Sequence, residues 1–172
     1  MAKAGALADD VEALAALAAS VLRSTSHQDL TLATAESCTG GLLASLLTDI
    51  EGLSGRFERG FAVYSDQSKS EMLGVDPAMI ARHGAVSREV ALAMARGALV
   101  HSRADLAAAI TGFAGPAGSD DEEGLVHVAV HSRRATAHRE CHFGRLGRDR
   151  VRHLATRAAL ELLDEALTTR ST

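Results

Sequence analysis

Leu30-Thr31-Leu32-Ala33-Thr34-Ala35-Glu36-Ser37-Cys38-Thr39-Gly40-Gly41-Leu42-Leu43 decides the fold. Residues 30–35 read as a short buried strand, and Gly40 and Gly41 lead into Leu42, Leu43, Leu46, Leu47 and Ile50 at helical spacing. Glu36-Ser37-Cys38-Thr39 therefore occupies a strand-to-helix turn. A serine at such a turn presents its oxygen outward, and the amides opening the next helix can stabilise an oxyanion or hold a phosphate. The same pattern also suits a plain helix cap by Ser37 or Thr39, so it does not identify a nucleophile by itself.

Outward from this turn the chain alternates between strands and helices. Residues 60–64 suggest a second strand, and residues 67–73 read as one or two helical turns, carrying Lys69 and stopped by Gly74. Asp76 before Pro77 caps a short helix closed at Gly84, and Ser87 caps the next, which carries Val90, Ala91, Met94, Ala98 and Leu99. Residues 106–110 read as a buried strand entering the turn Thr111-Gly112-Phe113-Ala114-Gly115-Pro116-Ala117-Gly118, where glycine lets backbone amides approach a ligand. An acidic loop, residues 119–123, precedes two alternating arms at 125–131 and 136–143 that predict a hairpin. Val151, Leu154, Ala155, Ala158, Leu162 and Ala166 mark a long final helix. Upstream, Leu7, Val11, Leu14, Ala18, Val21 and Leu22 recur at helical spacing beside Asp9 and Asp10, predicting a helix over about residues 6–23. The order gives an α/β layered fold, its sheet mostly parallel early with an antiparallel hairpin late, and ligands bind such sheets where strands end and helices begin.

With 172 residues the chain fits one domain, 1–172, around a single core. Apolar residues make up 47% but aromatics only 3%, so Ala, Leu and Val must fill that core. A net charge of -4 argues against a nucleic-acid binder, although Arg145, Arg148, Arg150 and Arg152 form a local basic cluster. Cys38 and Cys141 are too few for a disulfide framework and fit neither zinc nor redox spacing, which suits a cytoplasmic protein. No segment approaches the ~20 apolar residues that span a bilayer.

A serine hydroxyl needs a base, either His or a lysine buried enough to accept a proton. Lys3 and Lys69 are the only lysines, and Lys3 falls near the N-terminus, leaving Lys69 as the one lysine of the folded body. A lysine on a helix is more often simply solvated.

Five blocks in order change those odds: Ala35-Glu36-Ser37-Cys38-Thr39-Gly40-Gly41, Tyr64-Ser65-Asp66-Gln67-Ser68-Lys69, Leu73-Gly74-Val75, His83-Gly84-Ala85-Val86-Ser87 and Thr111-Gly112-Phe113-Ala114-Gly115-Pro116. Together they resemble the CinA C-terminal family of nicotinamide-nucleotide amidases, over about residues 30–167. The resemblance implies a three-layer α/β/α domain that deamidates nicotinamide mononucleotide to nicotinate mononucleotide and ammonia, with no cofactor and no metal. It implies Ser37 as the serine, Lys69 as the lysine and Tyr64 as the active-site tyrosine. Glu36, Cys38, Thr39, Gly40 and Gly41 would then surround the substrate from the first turn. For its phosphate the candidates are the glycine turn, with Thr111, Gly112 and Gly115, and the arginines around Arg148, the turn being the favoured one. Asp66 departs from the asparagine usual in the family, and the acidic residues 119–123 place negative charge beside the glycine turn, where they would repel a phosphorylated substrate. The competing reading is a non-catalytic nucleotide-binding or regulatory domain of the same fold.

Two lesser signals remain. Cys38, at a helix N-terminus, is an alternative nucleophile. If the hairpin pairs 127 with 142 and 131 with 138, His127, His131, His138 and His142 share a face, as two pairs about 13 Å apart at roughly 3.3 Å per residue, too far to share one ion. The expected partners are a small pyridine mononucleotide and a second copy of the chain, which would cover the first helix if it does not pack at home.

Overall fold

The structure, a computed structural model, describes residues 2–116, 118–119 and 121–169. The side chains of Leu7, Asp9 and Asp10, together with Ala117 and Asp120, lie outside the described residues. The elements follow in order as α1 (Ala2–His27), β1 (Leu32–Glu36), α2 (Leu42–Thr48), a 3-10 turn (Ser54–Arg56), β2 (Phe57–Ala62), α3 (Asp66–Leu73), α4 (Pro77–His83), α5 (Arg88–Val100), β3 (Leu106–Gly112), β4 (Leu125–Ser132), β5 (Thr136–His142) and α6 (Arg148–Thr168). The sheet order is β2-β1-β3-β4-β5. β1 runs parallel to both β2 and β3, while β4 is antiparallel to β3 and to β5, so β4 alone is reversed.

Two cores explain the three layers. On one face Leu14, Val21 and Leu22 of α1, Leu43 and Leu47 of α2, and Val151, Ala155 and Leu163 of α6 pack on Leu32, Leu106, Ile110 and Val128. On the other, Leu73, Ile80, Val90, Met94 and Ala98 from α3, α4 and α5 pack on Ala33, Ala35, Ala107, Ala109 and Ala129. Neighbouring residues of β1 and β3 alternate between these cores, as the period of two requires, and covering both faces is why these strands read as continuous apolar runs. α1 runs on to His27 and packs against α6 within the chain, which removes the uncovered helix as a reason for a second copy.

Two expectations need correction. The second strand is Phe57–Ala62, not residues 60–64. It is an edge strand in which Phe57 and Glu58 are half-buried and Arg59 and Gly60 meet solvent, so its first half carries no continuous apolar run. The hairpin pairs His127 with Glu140 and Ala129 with His138, two residues away from the expected register. The turn closes early because Ser132 Oγ accepts from the amides of Arg134 and Ala135. A slip of two preserves the face. It brings His127 Nδ1 within 3.1 Å of His138 Nε2, with the rings stacked.

Burial holds His127, His131 and His138 below the usual histidine range, and Arg96 beside His131 and Arg88 beside His138 add to it. Glu140 and Glu89 oppose the shift at His127 and His138. A lowered histidine favours the fold fully above about pH 6.5, and that contribution is lost as falling pH protonates the unfolded chain first. His142 runs the other way, raised by hydrogen bonds to Glu122 and Glu140, but these are exposed pairs that contribute little. Thermal melts are expected to give a lower Tm at about pH 5.5 than at about pH 7.5, with a smaller drop in His138→Gln. An equal drop in the variant would place the pH dependence elsewhere.

Candidate active site

The chain leaves β1 for β2 on one side, while β3 lies on the other, so the carboxyl ends of β1 and β3 form a switch point of the sheet. The amide of Ser37 donates to the Ile110 carbonyl at 3.0 Å, holding the turn after β1 against β3. Strand alternation sends Glu36 toward the α2 layer, and continued one residue it sends Ser37 toward the layer of α3 and α5.

A cavity of about 260 Å³ opens at this point. Ser37 and Cys38 line it from the first turn, Tyr64, Asp66 and Lys69 from the start of α3, and Ala85 and Val86 from the loop before α5. Thr111, Gly112, Phe113, Ala114, Gly115 and Pro116 line it from the end of β3, and Arg148 from the first residue of α6. The chain thus brings Ser37, Lys69, Tyr64, Cys38, Thr111, Gly112, Gly115 and Arg148 to one place. Glu36, Thr39, Gly40 and Gly41 do not line it. A larger, more apolar cavity of about 520 Å³ between α3 and α4 shares Asp66 and Ala85 with it but holds neither the serine nor the lysine.

Lys69 is the bulkiest fully buried side chain among the described residues, only 1% exposed, and not a solvated helix lysine. Its helix is fixed at both ends: the amide of Ser68 donates to Ser65 Oγ, and Gly74 closes the helix at φ 67°. That phase puts Lys69 and Leu73, four apart, on the inner face. Nζ donates to the Tyr64 carbonyl at 3.3 Å and lies 3.5 Å from Asp66 Oδ1. Among the described residues no hydrogen bond joins it to Ser37. Tyr64, itself 71% exposed at the rim, holds Lys69 through its backbone.

Cys38 lines the cavity but is poorly disposed to act as a nucleophile. Burial pushes its thiol up to about 12, and the Glu36 carboxylate adds to this, while its own amide, the Thr39 amide and Arg152 oppose it only in part. At neutral pH the thiolate is scarce.

Glu36, expected among the substrate ligands, faces inward and is 1% exposed. Its carboxylate accepts from the amides of Gly41, Leu43 and Ala44, the opening of α2. Thr39 is buried, and its carbonyl accepts from Arg152 Nη2 at 2.6 Å. Gly40 and Gly41, at φ 62° and 99°, shape the turn. Arg152, one of the basic cluster, thereby clamps α6 to that turn.

At the other end, Gly112 is demanded by packing, since a Cβ there would stand 2.6 Å from Val126 Cγ2. Gly115 lets Arg148 lie across the chain, for a Cβ would sit 2.7 Å from Arg148 Nη2. Thr111 donates its hydroxyl to the Ala85 carbonyl and ties this loop to the one before α5. Among the described residues Arg148 has no acidic partner, so its guanidinium is open to an anion in the cavity. Among the described residues of the acidic loop none lines the cavity: Glu122 pairs with His142, and Glu123 lies 3.9 Å from Arg145. Sequence reasoning gave Ala85 and Val86 no role, although a loop bounded by Gly84 and the cap Ser87 was the signal for a fixed turn.

The CinA C-terminal domain family matches residues 14–167. The nicotinamide-nucleotide amidohydrolase PncC of Escherichia coli (strain K12) is 48% identical over 137 residues, 77% of this chain and 82% of that protein. A CinA-like protein of Geobacter sulfurreducens is 42% identical over 151 residues, 87% of this chain but 36% of the longer relative. The crystal structure of the competence/damage inducible protein CihA from Agrobacterium tumefaciens superposes with a TM-score of 0.86 at 44% identity, covering 90% of this chain and 95% of that one. A match that begins within α1 and ends in the last turn of α6 takes in the sheet and every element around the cavity: the chain belongs to the CinA C-terminal domain family.

Proposed function

We propose that this chain hydrolyses the carboxamide of nicotinamide mononucleotide, with Ser37 as nucleophile and Lys69 as base. The observation that carries the reading is a fully buried lysine sharing one cavity with a serine at a strand-to-helix turn. The amidohydrolase named for the relative from Escherichia coli supports the substrate. On this reading Ser37 Oγ attacks the carboxamide carbon while its proton passes to Lys69 Nζ. The C–N bond breaks as that proton returns to the leaving nitrogen, directly or through Tyr64, and ammonia departs. Water then cleaves the acyl ester, releasing nicotinate mononucleotide and restoring the Ser37 hydroxyl.

The test is to incubate the purified chain with nicotinamide mononucleotide and measure ammonia and acid in equal amounts. One observation favours the second reading, a non-catalytic nucleotide-binding domain: Nζ is held by Asp66 and Tyr64 O rather than by Ser37. Nucleotide binding without turnover would select it.

Arg148 is the cation placed to meet the phosphate. Arg148→Ala is expected to raise KM for the mononucleotide by about 10- to 100-fold, the worth of one charged hydrogen bond, with kcat nearly unchanged. Nicotinamide riboside, which lacks the phosphate, should be hydrolysed equally by both proteins. A KM that does not move in steady-state assays would place the phosphate elsewhere.

A further inference from the structure

Glu36 is a buried carboxylate beside the nucleophile that takes no part in the chemistry above, and every donor it meets belongs to the backbone. Oε2 accepts from Gly41 at 3.1 Å and Leu43 at 3.0 Å, and Oε1 from Ala44 at 2.8 Å. The intervening amide of Leu42 donates to the Thr39 carbonyl, and that of Gly40 to the Ser37 carbonyl. The amino end of α2 is thereby closed: from Gly40 to Ala44 each amide already has an acceptor inside the chain. Ser37 N is held by Ile110. Between Ser37 and Ala44 the amides with no backbone or carboxylate acceptor among the described residues are those of Cys38 and Thr39, which follow the nucleophile directly and have the Cys38 thiol beside them. Arg152 fixes the same segment from the opposite side through the Thr39 carbonyl.

We propose that Glu36 is a positioning residue for the reaction: by taking the Gly41, Leu43 and Ala44 amides, it sets the turn so that the Cys38 and Thr39 amides meet the oxyanion formed at Ser37. This rests on the amidase reading. Its corollary is that the amino end of α2 does not bind the substrate phosphate, because its donors are occupied and a carboxylate sits among them. The role is catalytic support without contact, since Glu36 touches neither the cavity nor the reacting atoms. The effect should fall on the transition state, where negative charge develops on the oxygen, and not on the bound substrate.

Glu36→Gln keeps the shape but turns an amide donor toward backbone donors. With nicotinamide mononucleotide, kcat per folded molecule is expected to fall about 10²-fold, the cost of misplacing an oxyanion donor, while KM stays unchanged. In a Ser37→Ala background the Kd of the mononucleotide should be the same with Glu36 or Gln. If Glu36→Gln does not fold, Glu36→Asp serves, because the shorter arm keeps the charge but cannot reach all three amides, and the same split between kcat and KM is expected. A purely structural role would lower Tm and the folded fraction while leaving kcat per folded molecule intact, which would overturn the proposal. A weakened Kd would do so as well, making Glu36 a determinant of binding. A wild type that releases no ammonia would overturn the amidase reading itself, and this inference with it.

Discussion

Ser37→Ala is expected to lower ammonia release from nicotinamide mononucleotide by on the order of 10⁴-fold or more, with the fold intact and substrate binding retained. The size follows from what the hydroxyl does. It forms the covalent bond to the carbonyl carbon, and among the described residues no side chain beside it can take over. Cys38 is the neighbouring candidate, and its thiol, raised to about 12 by burial, is protonated at neutral pH. The variant should fold because the backbone of the turn, not the hydroxyl, holds it in place, through Ser37 N to Ile110 O, Gly40 N to Ser37 O and the Glu36 bonds to α2. Residual binding follows from Arg148 and the loop after β3, which the substitution leaves untouched. Isothermal titration and a discontinuous ammonia assay on the same preparation check both halves. Turnover within about tenfold of wild type would remove Ser37 as nucleophile, since loss of a covalent catalyst cannot be that mild.

How far the sequence could be read depended on what each signal encodes. β1 and β3 were legible because both faces are covered, so burial shows as an unbroken apolar run. β2 was misplaced because pairing at a sheet edge is a backbone property, and Phe61 and Val63 drew the reading past the charged pair Glu58 and Arg59. Composition pointed to Lys69, since Lys3 is the only other lysine, but its burial depends on helix phase, which the cap Ser65 and the stop Gly74 set together. Glu36 was misassigned for lack of direction. A motif names residues without saying which way they face, yet the alternation through Leu32, Ala33, Thr34 and Ala35 would have sent Glu36 to the α2 side and Ser37 to the other. Arg152 was invisible in this sense: its contact with Thr39 joins residues 113 apart in sequence, and no local pattern carries it. The hairpin register failed on one hydroxyl, Ser132, that closes the turn early.

Lys69→Met separates catalysis from architecture. Methionine has a similar length and no charge, so the buried space stays filled. Removing Nζ leaves the Tyr64 carbonyl without its donor, a cost of about 1–3 kcal/mol. Against this, a polar amino group no longer has to be held away from water, an offset of comparable size, while Asp66, whose side chain is 61% exposed, remains solvated. Tm is therefore expected to move little. Activity is expected to fall by about 10²- to 10⁴-fold, the range for loss of a general base. The decisive arm is the double variant. If Ser37 and Lys69 act as one unit, Ser37→Ala with Lys69→Met should be no slower than Ser37→Ala alone, because a base without its nucleophile has nothing to deprotonate. Two losses that multiply would instead mean that Lys69 acts independently of the serine, on the leaving ammonia or on the water of the second step, and the dyad would have to be abandoned even though each residue mattered.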